Sequence, residues 1–307
     1  MRGRIIKSTG SWYQVLSDEN LVLKARIKGK IRLKGIKHTN PIAVGDWVDF
    51  EMEGDEGNAV IHHIHERQNY IIRKSSNLSK QTHILASNID YVLIMATVAF
   101  PQTSIGFIDR ILVTAEAYHI KPILIFNKID LYQNEYQNRL NELCDLYENK
   151  VGYSCMKVSA LTKEGIDPLK DLLKNHTSLI IGHSGVGKTS TLNAIESGLG
   201  LKTSSLSSYH HKGQHTTTFA EMYPLSIGGF IVDTPGIREF GVIDIPDNEL
   251  SHYFKEMKRY IGDCKFSNCL HTHEPNCAII NALKEGKISM VRYQSYLSIL
   301  ANEDIFA

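Results

Sequence analysis

Residues 182–189 read Gly182-His183-Ser184-Gly185-Val186-Gly187-Lys188-Thr189. This is the pattern G-x-x-x-x-G-K-[ST], and no other feature narrows the fold of this chain as much. The pattern needs a strand entering a glycine-rich turn and a helix leaving it. Glycines let successive backbone N–H groups curl around phosphate oxygens, which then sit at the helix N-terminus. The flanks agree: residues 177–181 are strand-like, and Thr191, Leu192, Ala194 and Ile195 follow with helical character. Lys188 is expected to neutralise the β- and γ-phosphates and to act in catalysis, and Thr189 to hold Mg2+. Gly182, Ser184, Gly185, Val186, Gly187 and Ser190 complete the expected cradle.

A phosphate loop does not choose the base. Asn127-Lys128-Ile129-Asp130 follows the apolar run Ile123-Leu124-Ile125-Phe126, at the strand end where such sheets bind ligands. A carboxylate at Asp130 can accept hydrogen bonds from guanine N1–H and N2–H2. Adenine offers no such donors and would leave the acid unpaired, so ATP is disfavoured. Lys128 can lay its stem over the base, and Asn127 can tie this loop to the phosphate loop. Ser159-Ala160-Leu161, after the next strand, can present backbone N–H to guanine O6.

Asp233-Thr234-Pro235-Gly236 follows the strand-like stretch 229–232. Asp233 is expected at Mg2+, and the Gly236 N–H at the γ-phosphate. His215-Thr216-Thr217-Thr218 lies in a long polar loop, and one of the threonines Thr216, Thr217 and Thr218 is expected to complete the Mg2+ shell; the sequence alone does not choose among them. The residue after Gly236 is Ile237, which cannot orient a water molecule as a glutamine there would. Slow intrinsic turnover follows. His215 is the in-chain candidate to position water, and a group supplied by a partner is the alternative.

The motif order is unusual. The guanine motifs at 127 and 159 precede the phosphate loop at 182, the threonines at 216 and Asp233. One sheet can still be built if the helix near 165–174 runs into the phosphate-loop strand, so the domain is circularly permuted. Strand-like runs at 91–96, 122–126, 156–158, 178–181 and 230–232 alternate with helical stretches near 107–119, 135–148, 165–174 and 188–195. That is an α/β pattern. Before it, residues 1–75 show short strands (3–7, 12–16, 21–27, 30–33, 47–52, 60–64) broken by glycines, as in a five-stranded OB-like barrel. Residues 73–90 read as a polar linker. Thus the expected fold is multidomain: an all-β OB-like barrel over 1–75, a permuted α/β P-loop G domain over 80–240, and a mainly helical zinc-binding domain over 241–307. In the last, Met290, Tyr293, Leu297 and Leu300 are expected on one helical face.

Cys264, Cys269, His271 and Cys277 offer three thiolates and an imidazole within a short stretch. This closed four-ligand set suits one structural Zn2+ per chain. His273 competes with His271. A tail of about 65 residues needs such a staple. Cys144 and Cys155 read as core thiols.

Net charge is only +1, so an RNA-binding surface must be local. Lys24, Arg26, Lys28, Lys30, Arg32 and Lys34 recur at every second residue, Lys37 extends the series, and no acid lies between Asn20 and Gly45. On an extended strand these charges share one face suited to phosphates. Trp12 and Tyr13 could stack on bases or pack in the core. The start shows no signal peptide, and the longest apolar run, 91–100, falls short of the ~20 residues that span a bilayer. A cytoplasmic monomer without membrane contact is expected.

The motif order and flanking regions together resemble the circularly permuted ribosome small-subunit-dependent GTPases, the RsgA family, over nearly the whole chain. The matching residues are Asn127 to Asp130, 182–190, Gly213-Gln214-His215-Thr216-Thr217, Asp233 to Gly236 and the cysteine cluster. The resemblance implies a GTP- and GDP-binding enzyme that binds the small ribosomal subunit and its rRNA. It also implies stimulation by the ribosome and action late in subunit maturation. It points to His215 for hydrolysis and favours His271 over His273. A non-enzymatic GTP-gated RNA-binding switch is the alternative, and a P-loop kinase or ATPase is disfavoured by Asp130 and by Asp233-Thr234-Pro235-Gly236. Because the last motif leads straight into the tail, loss of the γ-phosphate at Gly236 is expected to alter the tail's grip on RNA.

Overall fold

A computed structural model describes residues 1–27, 41–53, 57–74, 82–199, 220–233 and 245–302. Five N-terminal strands close on themselves: β1 (Arg2–Ser8), β2 (Tyr13–Ser17), β3 (Val22–Ile27), β4 (Trp47–Glu53) and β5 (Asn58–Ile64). β1 pairs antiparallel with β2 and with β4, β2 with β3, and β4 with β5, while β3 and β5 run parallel. The circuit β1-β2-β3-β5-β4-β1 leaves none of these strands as an open edge, which is the advantage of a barrel. Alternate residues point inward: Ile5, Tyr13, Val15, Ala25, Val48, Phe50, Ala59 and Ile61 form its core. Tyr13 is therefore a core residue.

The basic series begins on the outer face of β3, where Lys24 and Arg26 are exposed. Arg26 is held by Glu53 at 2.6 Å, and the Lys24 ammonium lies 4.0 Å from the Trp12 ring centre. The expected strand at 30–33 and Lys28, Lys30, Arg32, Lys34 and Lys37 lie outside the described residues.

The expected linker at 73–90 carries sheet at both sides of residues 75–81, which lie outside the described residues. β6 (Tyr70–Lys74) and β7 (Thr82–Ser87) pair antiparallel. Ile71 and Ala86 are fully buried. The polar residues 75–81 dominated the sequence pattern and masked the apolar Ile84-Leu85-Ala86 beside them.

The central sheet carries β8 (Tyr91–Ala96), β9 (Lys121–Phe126), β10 (Ser154–Lys157), β11 (Thr177–Ile181), β12 (Glu221–Pro224) and β13 (Phe230–Asp233). The order is β10-β9-β8-β11-β13-β12, parallel except for β12. Both faces are covered, so neighbouring residues of one strand enter different cores. Val92 and Ile94 meet Phe107, Ile108 and Ile111 of α1 (Ile105–Ala117) and Leu140 and Leu143 of α2 (Glu135–Cys144). Leu93 and Met95 share a core with Leu169 and Leu173 of α3 (Ile166–Leu173) and Leu192 of α4 (Lys188–Ile195). The expected helix at 135–148 stops earlier as an α-helix. Asp145–Val151 continues as a wider π-helical turn.

The barrel and this sheet are continuous. β12 pairs with β1 at Lys7 and Glu221, which also form an ion pair. Beside them the buried Arg4 guanidinium donates to Thr177 Oγ1 at 2.7 Å and to the Asn88 carbonyl at 2.9 Å.

In the tail, α5 (Lys255–Lys258), α6 (Ala278–Lys284) and α7 (Met290–Leu300) surround a small core. The expected face of α7 is rotated. Arg292, Tyr293, Ser295, Tyr296 and Ile299 are buried, whereas Met290 is 55% exposed. The cause is Arg292, which binds Glu256 at 2.7 Å and Asp109 of α1 at 2.5 Å and lies over the Phe254 ring. Paired with two acids, an arginine becomes an inward residue.

Candidate functional site

The ends of β11, β9, β10 and β13 bring the sequence motifs together at one edge of the sheet. β11 is buried along its length and delivers the chain into the glycine turn. Gly185 and Gly187 hold φ of 82° and 94°, which an L side chain rarely tolerates. Gly187 is doubly constrained, because a Cβ there would stand 2.3 Å from Asn127 Nδ2. Lys188 and Thr189 begin α4 and are buried; Ser184 and Ser190 are exposed.

The Lys188 ammonium donates to the Gly182 carbonyl at 2.6 Å and the His183 carbonyl at 2.8 Å. Burial pulls its pKa down to about 8, against the attraction of Asp233. Asp233, buried at the end of β13, sits opposite Ile180 of β11. A lysine held this way is desolvated and aimed at the turn, ready to gain from an arriving polyanion.

Asn127 links this turn to the second motif. Its Nδ2 donates to the Val186 carbonyl at 2.8 Å, and Ala160 N–H points at its Oδ1 at 3.4 Å. Lys128 takes a left-handed backbone (φ 65°) and its ammonium donates to the Phe100 carbonyl. Asp130 accepts from Ser159 Oγ at 2.5 Å, which orients the carboxylate. The Ser159 N–H is already given to the Glu164 carbonyl at 2.9 Å. Of these two amides, the Ala160 N–H, on its long contact, is the one more open to a ligand.

Sequence reasoning missed Tyr132. Its hydroxyl donates to the Asn127 carbonyl at 2.7 Å and accepts from Val98 N–H at 2.9 Å, fixing the base of the Asn127 loop. A buried tyrosine two residues after Asp130 carries no motif that would single it out. His215, Thr216, Thr217, Gly236 and Ile237 lie outside the described residues.

The tail cluster also assembles. The donor atoms of Cys264, Cys269, His271 and Cys277 all lie within 4.8 Å of one another. His271 Nδ1 is 3.6 Å from Cys264 Sγ and 3.4 Å from Cys277 Sγ. Tetrahedral ligands at about 2.0–2.3 Å from one ion stand roughly 3.5–3.8 Å apart, so the set fits a metal. His271 turns inward at φ 58°, and Ser251 Oγ engages its Nε2 at 3.1 Å. His273 instead is exposed and bonds Thr272 at 2.9 Å. Burial pushes the Cys269 thiol up to about 12; a bound cation is what would hold it as thiolate.

The RsgA GTPase family model matches residues 64–243, and the RsgA N-terminal domain model matches residues 2–61. The chain belongs to the RsgA GTPase family. An RsgA protein named "Small ribosomal subunit biogenesis GTPase RsgA" from Bacteroides fragilis is 49% identical, over 99% of this chain and 97% of that protein. The RsgA of the same name from Christiangramia forsetii is 52% identical, with the same shares of the two chains. Among solved structures, YjeQ from Thermotoga maritima aligns with a TM-score of 0.78 and 33% identity, over 98% of this chain and 97% of that one. YloQ, described as a circularly permuted GTPase, aligns with 0.75 and 26%, over 98% and 94%. The permutation read from motif order thus coincides with the RsgA fold.

Proposed function

We propose that this RsgA-family chain binds GTP at the ends of β9, β10, β11 and β13 and hydrolyses it on the small ribosomal subunit during late subunit maturation. The observation that carries the reading is the bond from Asn127 to Val186, which joins a guanine-type loop to a phosphate-type loop. The names of its RsgA relatives supply the ribosomal setting.

In this reading Asp130 accepts guanine N1–H and N2–H2, oriented by Ser159. The Lys128 stem covers the base, and the Ala160 N–H faces O6. Gly182, Ser184, Gly185, Val186, Gly187, Lys188 and Ser190 surround the phosphates. Thr189 and Asp233 are hard oxygen donors suited to Mg2+, with one of Thr216, Thr217 and Thr218 joining when GTP is bound. Mg2+ held by them would supply charge neutralisation at the phosphate oxygens. The Gly236 N–H senses the γ-phosphate. His215 holds the water that attacks the γ-phosphorus as the bond to the β-bridging oxygen breaks and GDP leaves. Lys188 stabilises that leaving charge.

The four-donor tail cluster holds Zn2+ as a structural ion, since thiolate and imidazole donors with no open position suit it. The units 1–75, 80–240 and 241–307 remain the division we favour. Among the described residues no helix is long and apolar enough to cross a membrane. A cytoplasmic monomer fits a partner that is the ribosomal subunit and its rRNA, met by the basic outer face of β3.

Multiple-turnover assays with GTP, with and without small subunits, test this reading. Stimulation by subunits is expected, and its loss in Lys188→Ala. Absence of stimulation, or preference for ATP, would overturn it.

A further inference from the structure

The barrel carries a second group of metal-type donors, on the outer face of the β4–β5 pair and separate from the tail. His63 and His65 are two apart on β5 and its exit, so both imidazoles leave the same side of the ladder. Their placement depends on an irregularity. Asp49 stands opposite His63, but Phe50 stands opposite Ile61. His62 is the extra residue of a β-bulge, and bulges re-aim neighbouring side chains. Ile61 and Ile64 remain in the barrel core while His62 and His63 both face solvent.

The bulge gathers three donors at one point. Asp49 Oδ1 lies 3.0 Å from His65 Nε2. The His63 and His65 rings are 5.0 Å apart, nearly perpendicular at 80°. One donor atom from each of Asp49, His63 and His65 falls within 4.8 Å of the others. His65 and Asp49 are each 33% exposed, so an ion reaches them directly from solvent. His62 is engaged elsewhere, with Nδ1 3.1 Å from the Asp49 carbonyl and Nε2 3.9 Å from Glu51. Asp49 and Glu51 make this face unfavourable for phosphate and favourable for a cation.

We propose that Asp49, His63 and His65 form a binding site for a divalent transition ion of the Zn2+ class, distinct from the tail cluster. Two imidazoles and one carboxylate are the donor set of open zinc sites, in which water takes the remaining position. Imidazole favours Zn2+, Co2+ or Ni2+ over the hard Mg2+ that accompanies nucleotide. The backbone of two paired strands holds the Cα positions, so only side-chain rotations of these half-exposed residues are needed to close on an ion.

The test is metal stoichiometry on the full chain, purified with its tail metal in place. After equilibrium dialysis against micromolar free Zn2+ in millimolar Mg2+, the wild type is expected to hold two zinc equivalents per chain. His63→Ala, His65→Ala and Asp49→Asn are each expected to hold one. Loading with Co2+ separates the sites: thiolate-to-cobalt charge transfer reports the tail and stays unchanged, while the second equivalent adds only weak d–d absorption that the variants lose. A wild type holding one equivalent, or a His63→Ala/His65→Ala double variant still holding two, would overturn the proposal. Asp49→Asn keeps the side-chain shape, so it decides the matter if a histidine variant disturbs the barrel, which circular dichroism would reveal.

Discussion

Asn127 Nδ2 donates to the carbonyl of Val186, 59 residues away, at 2.8 Å. Through that bond the loop after β9 and the glycine turn before α4 become one surface. Asn127 is buried and Gly187 presses against the same amide, so neither loop can shift alone. Removing a buried hydrogen bond of this kind costs about 1–3 kcal/mol. Asn127→Ala is therefore expected to weaken GDP binding by roughly 5- to 150-fold with the fold intact, read by titration of a fluorescent nucleotide and by circular dichroism.

Lys188 titrates near 8 in the nucleotide-free fold, against 10.5 when unfolded, because burial disfavours its charge. Between those values the unfolded chain binds the extra proton, so stability rises with pH across about 8 to 10.5. Below about 8 the penalty is fully present. Urea unfolding of the nucleotide-free protein is expected to show this rise relative to Lys188→Met, whose curve should be flatter over the same window. Saturating GDP should diminish the difference, because phosphate oxygens restore the charged lysine.

Arg292, fully buried between Asp109 and Glu256, joins α7 to α1. Arg292→Met leaves two uncompensated acids inside the protein, and loss of one partner of such a network costs about 3–5 kcal/mol. Chemical denaturation should show that loss. Adding Asp109→Asn and Glu256→Gln to Arg292→Met should recover much of it. Failure to recover would mean that packing of the guanidinium over Phe254 matters more than charge.

Removal of metal from the tail should loosen the tail and spare the nucleotide site. Cys277→Ser, or a strong chelator, is expected to abolish hydrogen-exchange protection around α6 and α7. GDP affinity should change by less than about threefold, a difference under ~1 kcal/mol. Protection that survives complete metal loss would argue that the small core of Phe254, Met257 and Tyr296 suffices.

Much of the candidate site could be proposed from the sequence because its parts are local. A glycine turn between strand and helix, Asn127 to Asp130 after an apolar strand, and three cysteines with a histidine each depend on near neighbours. Side-chain spacing then expresses backbone geometry directly. The closed barrel was legible for the same reason, through alternation and glycines. The hairpin of β6 and β7 was not, since its apolar Ile84-Leu85-Ala86 is short and follows a long polar stretch.

What the sequence determined by itself was chemistry and order: which residues suit phosphate, guanine and metal, and that the guanine motif comes first. Tertiary structure alone decided who meets whom. It turned Arg292 inward, set Tyr132 beneath Asn127, spent the Ser159 N–H on Glu164, joined β1 to β12 and gathered Asp49 with His63 and His65. Each of these depends on contacts between chain segments brought together by packing. A charged or hydroxyl side chain looks the same in sequence whether its partner is water or a buried group from another segment, and burial changes which of the two it must have.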